Sequence, residues 1–407
     1  MKHLFFSLFL SSLSLFANGK IYVANQDSDN LSVIDPATNT PVATITVGEF
    51  PQAIGITPDQ QRAYVTNSLA NTVSVVDLPT NTTIATIAVD TFPFGAAVTP
   101  MGDQAYITNQ TAGTVNVIDV ASNTIIATIP VGSTPQDIAV SPDGKSVYAT
   151  GDPISVIDVA TNSVIDTISL GSPAEGIAIA PGGKTVYASY QPGTTGLIAV
   201  IDSATNTVTD NVTLETGLTG IGVSTTPNGK KLYVSGEDLM TGDGLVSVIL
   251  TANNTIIATV PVNPVPTEFA FSTDGTLAYV TSLVDNLVNV IDVATDTLST
   301  SFPVGMDPAG IATCPAINRV EANGKKDIFL TQTELFNFLS WTPLPTALST
   351  TEFRVYRNEQ LLATLPLTQT EFSDHNREKN TTYTYRITQV INNVEADVGS
   401  AVVRVGD

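Results

Sequence analysis

The chain has 407 residues, 43% of them hydrophobic, with 16 Lys and Arg against 38 Asp and Glu for a formal charge of −22. That hydrophobic fraction excludes a disordered chain, and the acidic balance disfavours nucleic acid and anionic lipid, which are held largely by Lys and Arg. The charge is uneven: residues 20–316 carry six basic and 27 acidic side chains, whereas residues 317–407 carry nine and 11. Cations, basic proteins and neutral glycans remain as partners, although dispersed carboxylates also serve simply to keep a strand-rich surface soluble.

At the N-terminus, Lys2 precedes the apolar run LFFSLFLSSLSLF (4–16), followed by the small residues Ala17 and Gly19. This is the form of a signal peptide over 1–19, cleaved before Lys20. No later apolar run reaches the ~18 residues of a membrane span. The expectation is an exported chain (periplasmic, cell-surface or secreted) with no transmembrane segment after cleavage. Cys314 is the sole cysteine, so no intrachain disulfide can form. Its surroundings, GIATCPA, read as an inner strand carrying a small buried hydrophobe.

Four short strand-like series then repeat. One is centred on Tyr22, Tyr64, Tyr106, Tyr148, Tyr187, Tyr233 and Tyr279, as in AYVTN (63–67). A second follows it, as in VSVVD (73–77), a third as in ATIAV (85–89), and a fourth as in DIAVS (137–141). Each series has seven members. Four β-branched segments per period, punctuated by turn signals, describe one blade of a β-propeller. We label the DIAVS type strand A, the tyrosine type B, the VSVVD type C and the ATIAV type D. SPDGK (141–145) and its relatives suit tight A–B hairpins, and the Asp that ends every C strand but one, where Leu250 stands, caps the C–D turn.

The first unit starts at strand B, and the last A strand (310–314) has no B strand behind it. The expected fold is therefore an all-β, seven-bladed β-propeller of four-stranded antiparallel blades. Its ring is closed by pairing the C-terminal A strand with the N-terminal B, C and D strands, which also removes exposed sheet edges.

The motifs AYVTN (63–67), NTVSVVD (71–77), NTTIATIAV (81–89) and PQDIAVSPDG (135–144) resemble the YVTN-type propeller repeats of bacterial and archaeal surface-layer and periplasmic proteins. These are relatives of the lactonase-like seven-bladed propellers. The resemblance covers 20–316 and implies the fold; the matching residues are framework and imply no activity.

Beyond CPAIN (314–318) the repeat stops. NFLSWTP (337–343), EFRVYRNEQLLATL (352–365) and NTTYTYRITQVINN (380–393), with Trp341 and Tyr383, resemble a fibronectin type III domain over 317–407. In that family the tyrosine makes a structural corner. Such a module implies a spacer or protein-binding unit, although the Leu and Pro that usually precede that corner are not evident.

Of the two histidines, His3 falls in the signal peptide and His375 in the polar run SDHNREKN. The propeller therefore lacks His-based triads and His-ligated metal or haem. Most of its carboxylates occupy repeat positions with turn roles. The repeat departs from itself in the B–C loops: QDSDN (26–30), YQPGTTG (190–196) and GEDLMTGDG (236–244). Asp27 with Asp29, and Glu237 with Asp238 and Asp243, are oxygen-rich sets that could hold Ca²⁺. The central mouth on the same face is a second candidate. There the aligned entry positions of the A strands include Gln52, Phe94, Gln136, Asp137, Glu175 and Glu268, a polar and acidic ring with one aromatic. It suits a small ligand or peptide.

The expected function is a monomeric, non-catalytic binding or surface protein that recognises a protein or glycan through this face and requires no cofactor. The alternatives are a lactonase-like hydrolase and a structural surface-layer component.

Overall fold

The computed structural model describes residues 19–215, 219–314, 321–328, 333–340, 350–358, 360–366, 371–374, 382–391 and 394–404. All but the last residue of the expected signal peptide, along with Trp341 and His375, lie outside them.

Seven four-stranded antiparallel sheets carry the propeller, and in each the strands stand in the order A, B, C, D from the centre outward. Closure occurs as the strand order demands. Pro308–Cys314 is the inner strand of the blade formed by Lys20–Asn25, Asn30–Asp35 and Thr40–Thr46. Lys20 faces Cys314, Tyr22 faces Ala312 and Val23 faces Ile311. We number this blade one; blades two to seven follow in chain order.

The B and C strands read as nearly continuous buried runs because each blade is sandwiched between two others. The D strands form the rim and bury little: Thr40–Thr46 and Thr82–Ala88 each bury one side chain, Ile45 and Ile87. Alternate residues of a B strand face opposite neighbours. Val65 packs with Tyr22, Leu31 and Val33 of blade one, while Tyr64 packs with Ala105, Ile107 and Ile118 of blade three. Every C–D pair contains a β-bulge, for instance between Val33 and Ile34 and between Val75 and Val76. The bulges increase the twist of the rim strands.

The tyrosines are buried, and in blades two, three and four the hydroxyl bonds an asparagine in the C–D turn of the next blade. Tyr64 donates to Asn123 Oδ1 at 2.8 Å, Tyr106 to Asn162 Oδ1 at 2.6 Å, and Tyr148 to Asn206 Oδ1 at 3.1 Å. All three asparagines are left-handed, a conformation Asn tolerates better than most residues. In blade six the partner is instead Asp296, and Lys231 joins it with Nζ 2.7 Å from Oδ2. The strand-ending Asp residues cap their turns: Asp119 Oδ1 accepts from Ser122 N, and Asp158 Oδ1 from Thr161 N.

Beyond the ring lie two further antiparallel sheets. One joins Glu321–Ile328, Thr333–Ser340 and Glu371–Asp374. The other runs Gln360–Leu365, Thr350–Arg357, Thr382–Ile391, Val394–Arg404. Phe353, Val355 and Ile387 are buried in the four-stranded sheet. Among the described residues no helix is long and apolar enough to cross a membrane.

Candidate functional site

Each D–A loop delivers the chain to the centre of the ring, in most blades at a proline such as Pro51, Pro93 or Pro266. The A strand then bulges. Pro51 faces Asn67, but the next pair is Ile54 with Val65, and the same slip separates Pro93 from Ala96 and Pro266 from Phe269. The bulge breaks simple alternation, so two consecutive residues per blade reach the channel.

The six mouth residues expected from sequence all line one cavity of about 300 Å³, but they are not one aligned position. Gln52, Phe94, Gln136 and Glu175 occupy the outer of the two registers. Asp137 and Glu268 occupy the inner one, where the other five blades have Gly or Ala. The hydrogen bonds fix this assignment. The inner-register amides of Ala53, Gly95, Asp137, Gly176, Gly222 and Glu268 all donate to the Thr or Ser hydroxyl of their own B strand. Sequence also missed Gln26, whose Nε2 donates to Gln52 Oε1 at 2.9 Å inside the cavity. Its place as the first residue after the B strand was the available signal.

The same hydroxyls reach onward to the next blade. Thr66 donates to Phe94 O, Thr108 to Gln136 O, Ser189 to Ile221 O and Thr281 to Ala309 O. The threonine of the repeat motif thus sets the spacing of the channel wall. Two blades do otherwise. Blade one has Ala24 in this place, and the hydrogen bond from Gln26 Nε2 to Gln52 Oε1 links it to blade two. In blade four Thr150 turns back to Asp137 O, and the Asp137 carboxylate takes over the link. Its Oδ2 accepts from Ile177 N at 2.8 Å, while Oδ1 accepts from Ile138 N at 2.7 Å.

Among the described residues no Lys, Arg or His lines the cavity. Burial raises the Glu268 carboxyl well above the usual carboxylate range, and the charge of Asp137 raises it further. Burial also raises Asp137, opposed by its two backbone N–H donors, and raises Glu175. Asp137 and Glu268 keep an edge open to the cavity, although protein atoms crowd them on the other sides. Three carboxyls without a counter-charge cannot all ionise cheaply, so the site holds protons near neutrality.

The two acidic loop sets form no cage. Among the described residues no group of three or more His, Cys, Asp or Glu converges on a metal position. Asp29, left-handed at φ 51°, accepts from Phe50 N at 3.0 Å. Asn71 and Asn286 do the same for Phe92 and Asp307, so Asp29 fills a repeat position. Asp27 approaches Asp307, whose carboxyl is raised by burial and by that neighbour. Asp238 caps its own loop, with Oδ1 accepting from Met240 N. Glu237 and Asp243 do not join it in a three-carboxylate group. Cys314 is buried and its thiol is pushed up to about 12 by that burial, which makes it inert.

Residues 7–100 match the family described as YNCE-like beta-propeller, and residues 326–405 match the beta-sheet domain of rhamnogalacturonan I lyases. A 40-residue stretch is 50% identical to the PE-PGRS family protein PE_PGRS18 of Mycobacterium tuberculosis, spanning 10% of this chain and 9% of that protein. Among solved structures, Kuenenia stuttgartiensis hydrazine synthase superposes with a TM-score of 0.62 at 23% identity. The match covers 71% of this chain and 92% of that one, a likeness of fold.

Proposed function

From a YVTN-type seven-bladed propeller followed by a β domain, we propose an exported, monomeric binding protein that recognises a protein or glycan at the channel mouth. The observation that carries this is the convergence of Gln52, Phe94, Gln136, Asp137, Glu175 and Glu268 on one cavity of about 300 Å³. That volume is at the small end for ligand pockets. Amide, carboxyl and aromatic groups there fix orientation and supply apolar area, and the hydroxyl-linked wall holds them rigidly. The β domain, which we read as fibronectin type III-like, would act as a spacer or docking unit.

The test is comparative. Labelled protein spanning 20–407 and its Gln52→Ala/Phe94→Ala variant are applied to a glycan array and to envelope and host-surface extracts. A partner retained by the parent and lost by the variant, at equal melting temperature, supports the channel. Equal retention by both removes it.

One observation favours a second reading, a lactonase-like hydrolase: two carboxyls whose surroundings hold them at different proton affinities can divide acid and base roles. Sugar-lactone turnover abolished by Glu268→Gln would establish it. Absence of turnover by the parent would end it.

A further inference from the structure

We propose that the channel mouth docks a protein partner that inserts one lysine side chain from an otherwise apolar surface. This rests on the channel-binding reading above and names the partner's chemistry.

The first argument is the cavity itself. Among the described residues it carries three carboxyls and no basic group, with Phe94 in its wall. A lysine ammonium supplies the missing charge, and an aromatic face can take part in holding it. The cavity is too small for a folded element, whereas the slender four-carbon stem and compact charge of lysine suit a narrow pit.

The second argument is independent of charge. Carbon-rich side chains stand exposed on the loops of the same face. Val284, 58% exposed, follows the cavity residue Leu283. Met306 is held by a bond from its N–H to Ser28 Oγ, in the turn that begins with cavity residue Gln26. Leu69 follows Ser68, whose amide and hydroxyl bond to Phe50 O and Pro93 O at the foot of two D–A loops. Met240, 86% exposed, is raised on the Asp238-capped loop. Methionine and aliphatic carbon around a polar pit suit a protein surface.

Insertion of an ammonium favours ionised carboxyls, so protons leave as the partner binds. The titratable groups facing the inserted charge are Asp137, Glu175 and Glu268. Binding should tighten between pH 6 and pH 8.

The experiment is calorimetric titration of the full exported chain with a blocked Leu/Ala heptapeptide carrying one central lysine, and with the same peptide acetylated on that lysine. The lysine peptide is expected to bind at least roughly thirty-fold more tightly, the scale of losing one partner of a desolvated charge pair. Glu175→Gln, whose carboxyl takes no hydrogen bond among the described residues, should weaken it roughly ten-fold at unchanged melting temperature. Asp137→Asn serves only as a second variant, because its carboxylate also bonds the wall. Equal affinity for the two peptides overturns the proposal, and so does failure of both to bind. If neither peptide binds but an oligosaccharide does, and Phe94→Ala removes it, the channel-binding reading survives and the lysine inference falls.

Discussion

Thr66 Oγ1 accepts from the amide of Ala53 in its own blade at 2.9 Å and donates to the carbonyl of Phe94 in the next at 2.6 Å. One hydroxyl thereby satisfies a buried donor and a buried acceptor on different blades. Thr108→Val, which removes the matching bonds to Gly95 N and Gln136 O, should cost about 2 kcal/mol, the range for buried groups left unpaired. Ala24→Ser, which restores at blade one the hydroxyl that Ser189 and Ser235 supply elsewhere, should gain about 1 kcal/mol. Urea unfolding checks both. A destabilising Ala24→Ser would show that blade one is spaced differently.

Lys231 and Asp296 form a largely enclosed pair, with side-chain exposures of 18% and 11%. Leu277 stands at the position of Lys231 in blade seven, and other blades have Asn at the position of Asp296. Asp296→Asn alone should cost about 3 kcal/mol by stranding a charge. Adding Lys231→Leu should recover most of that. Thermal unfolding of the single and double variants decides it, and additive losses would contradict the pairing.

The channel and the turns titrate in opposite senses. Burial raises Asp137 to about 6, and burial with the charge of Asp137 raises Glu268 to about 8. Both lie above free carboxyls, so the folded chain binds more protons than the unfolded one across that range, and stability falls as pH rises through 6 and 8. The capping carboxylates Asp119, Asp158, Asp202 and Asp292 are lowered by their turn hydrogen bonds. Their contribution is lost as pH falls below about 4. The melting temperature should therefore peak near pH 5, and Glu268→Gln should flatten the upper limb. Scanning calorimetry from pH 3 to 9 measures this, and an unchanged upper limb would show that Glu268 does not carry it.

A side-chain carbon at Gly222 would overlap the carbonyl oxygen of Thr267 on the adjacent A strand. Gly222→Ala should thus cost roughly 2 to 3 kcal/mol through overpacking at the wall. Gly193→Ala, in open space on a loop, should be neutral. Equal melting temperatures for the two would refute the close approach.

Strand order and the role of Asp119-type residues were legible in the sequence because each is repeated and local, and closure followed because the repeat starts at a B strand and ends on an A strand without one. The hydrogen bonds of Thr66 and its equivalents were not, because their partners lie on a neighbouring blade and are main-chain atoms. The six cavity residues were recovered, but as one ring. The bulge after Pro51 and its counterparts brings two successive positions inward, and an alternating pattern cannot show that. Asp29, offered from sequence as a cation ligand, stands where Asn71 and Asn286 stand in other blades and accepts a backbone amide as they do, a role that only the comparison of blades reveals.

The pairing of Lys20 with Cys314 also fixes an order in time. Strands made first wait with an unpaired inner edge until almost the whole ring has followed, and bringing such distant ends together is slow. A chain interrupted before Pro308 would keep that edge open, ready to pair with another copy.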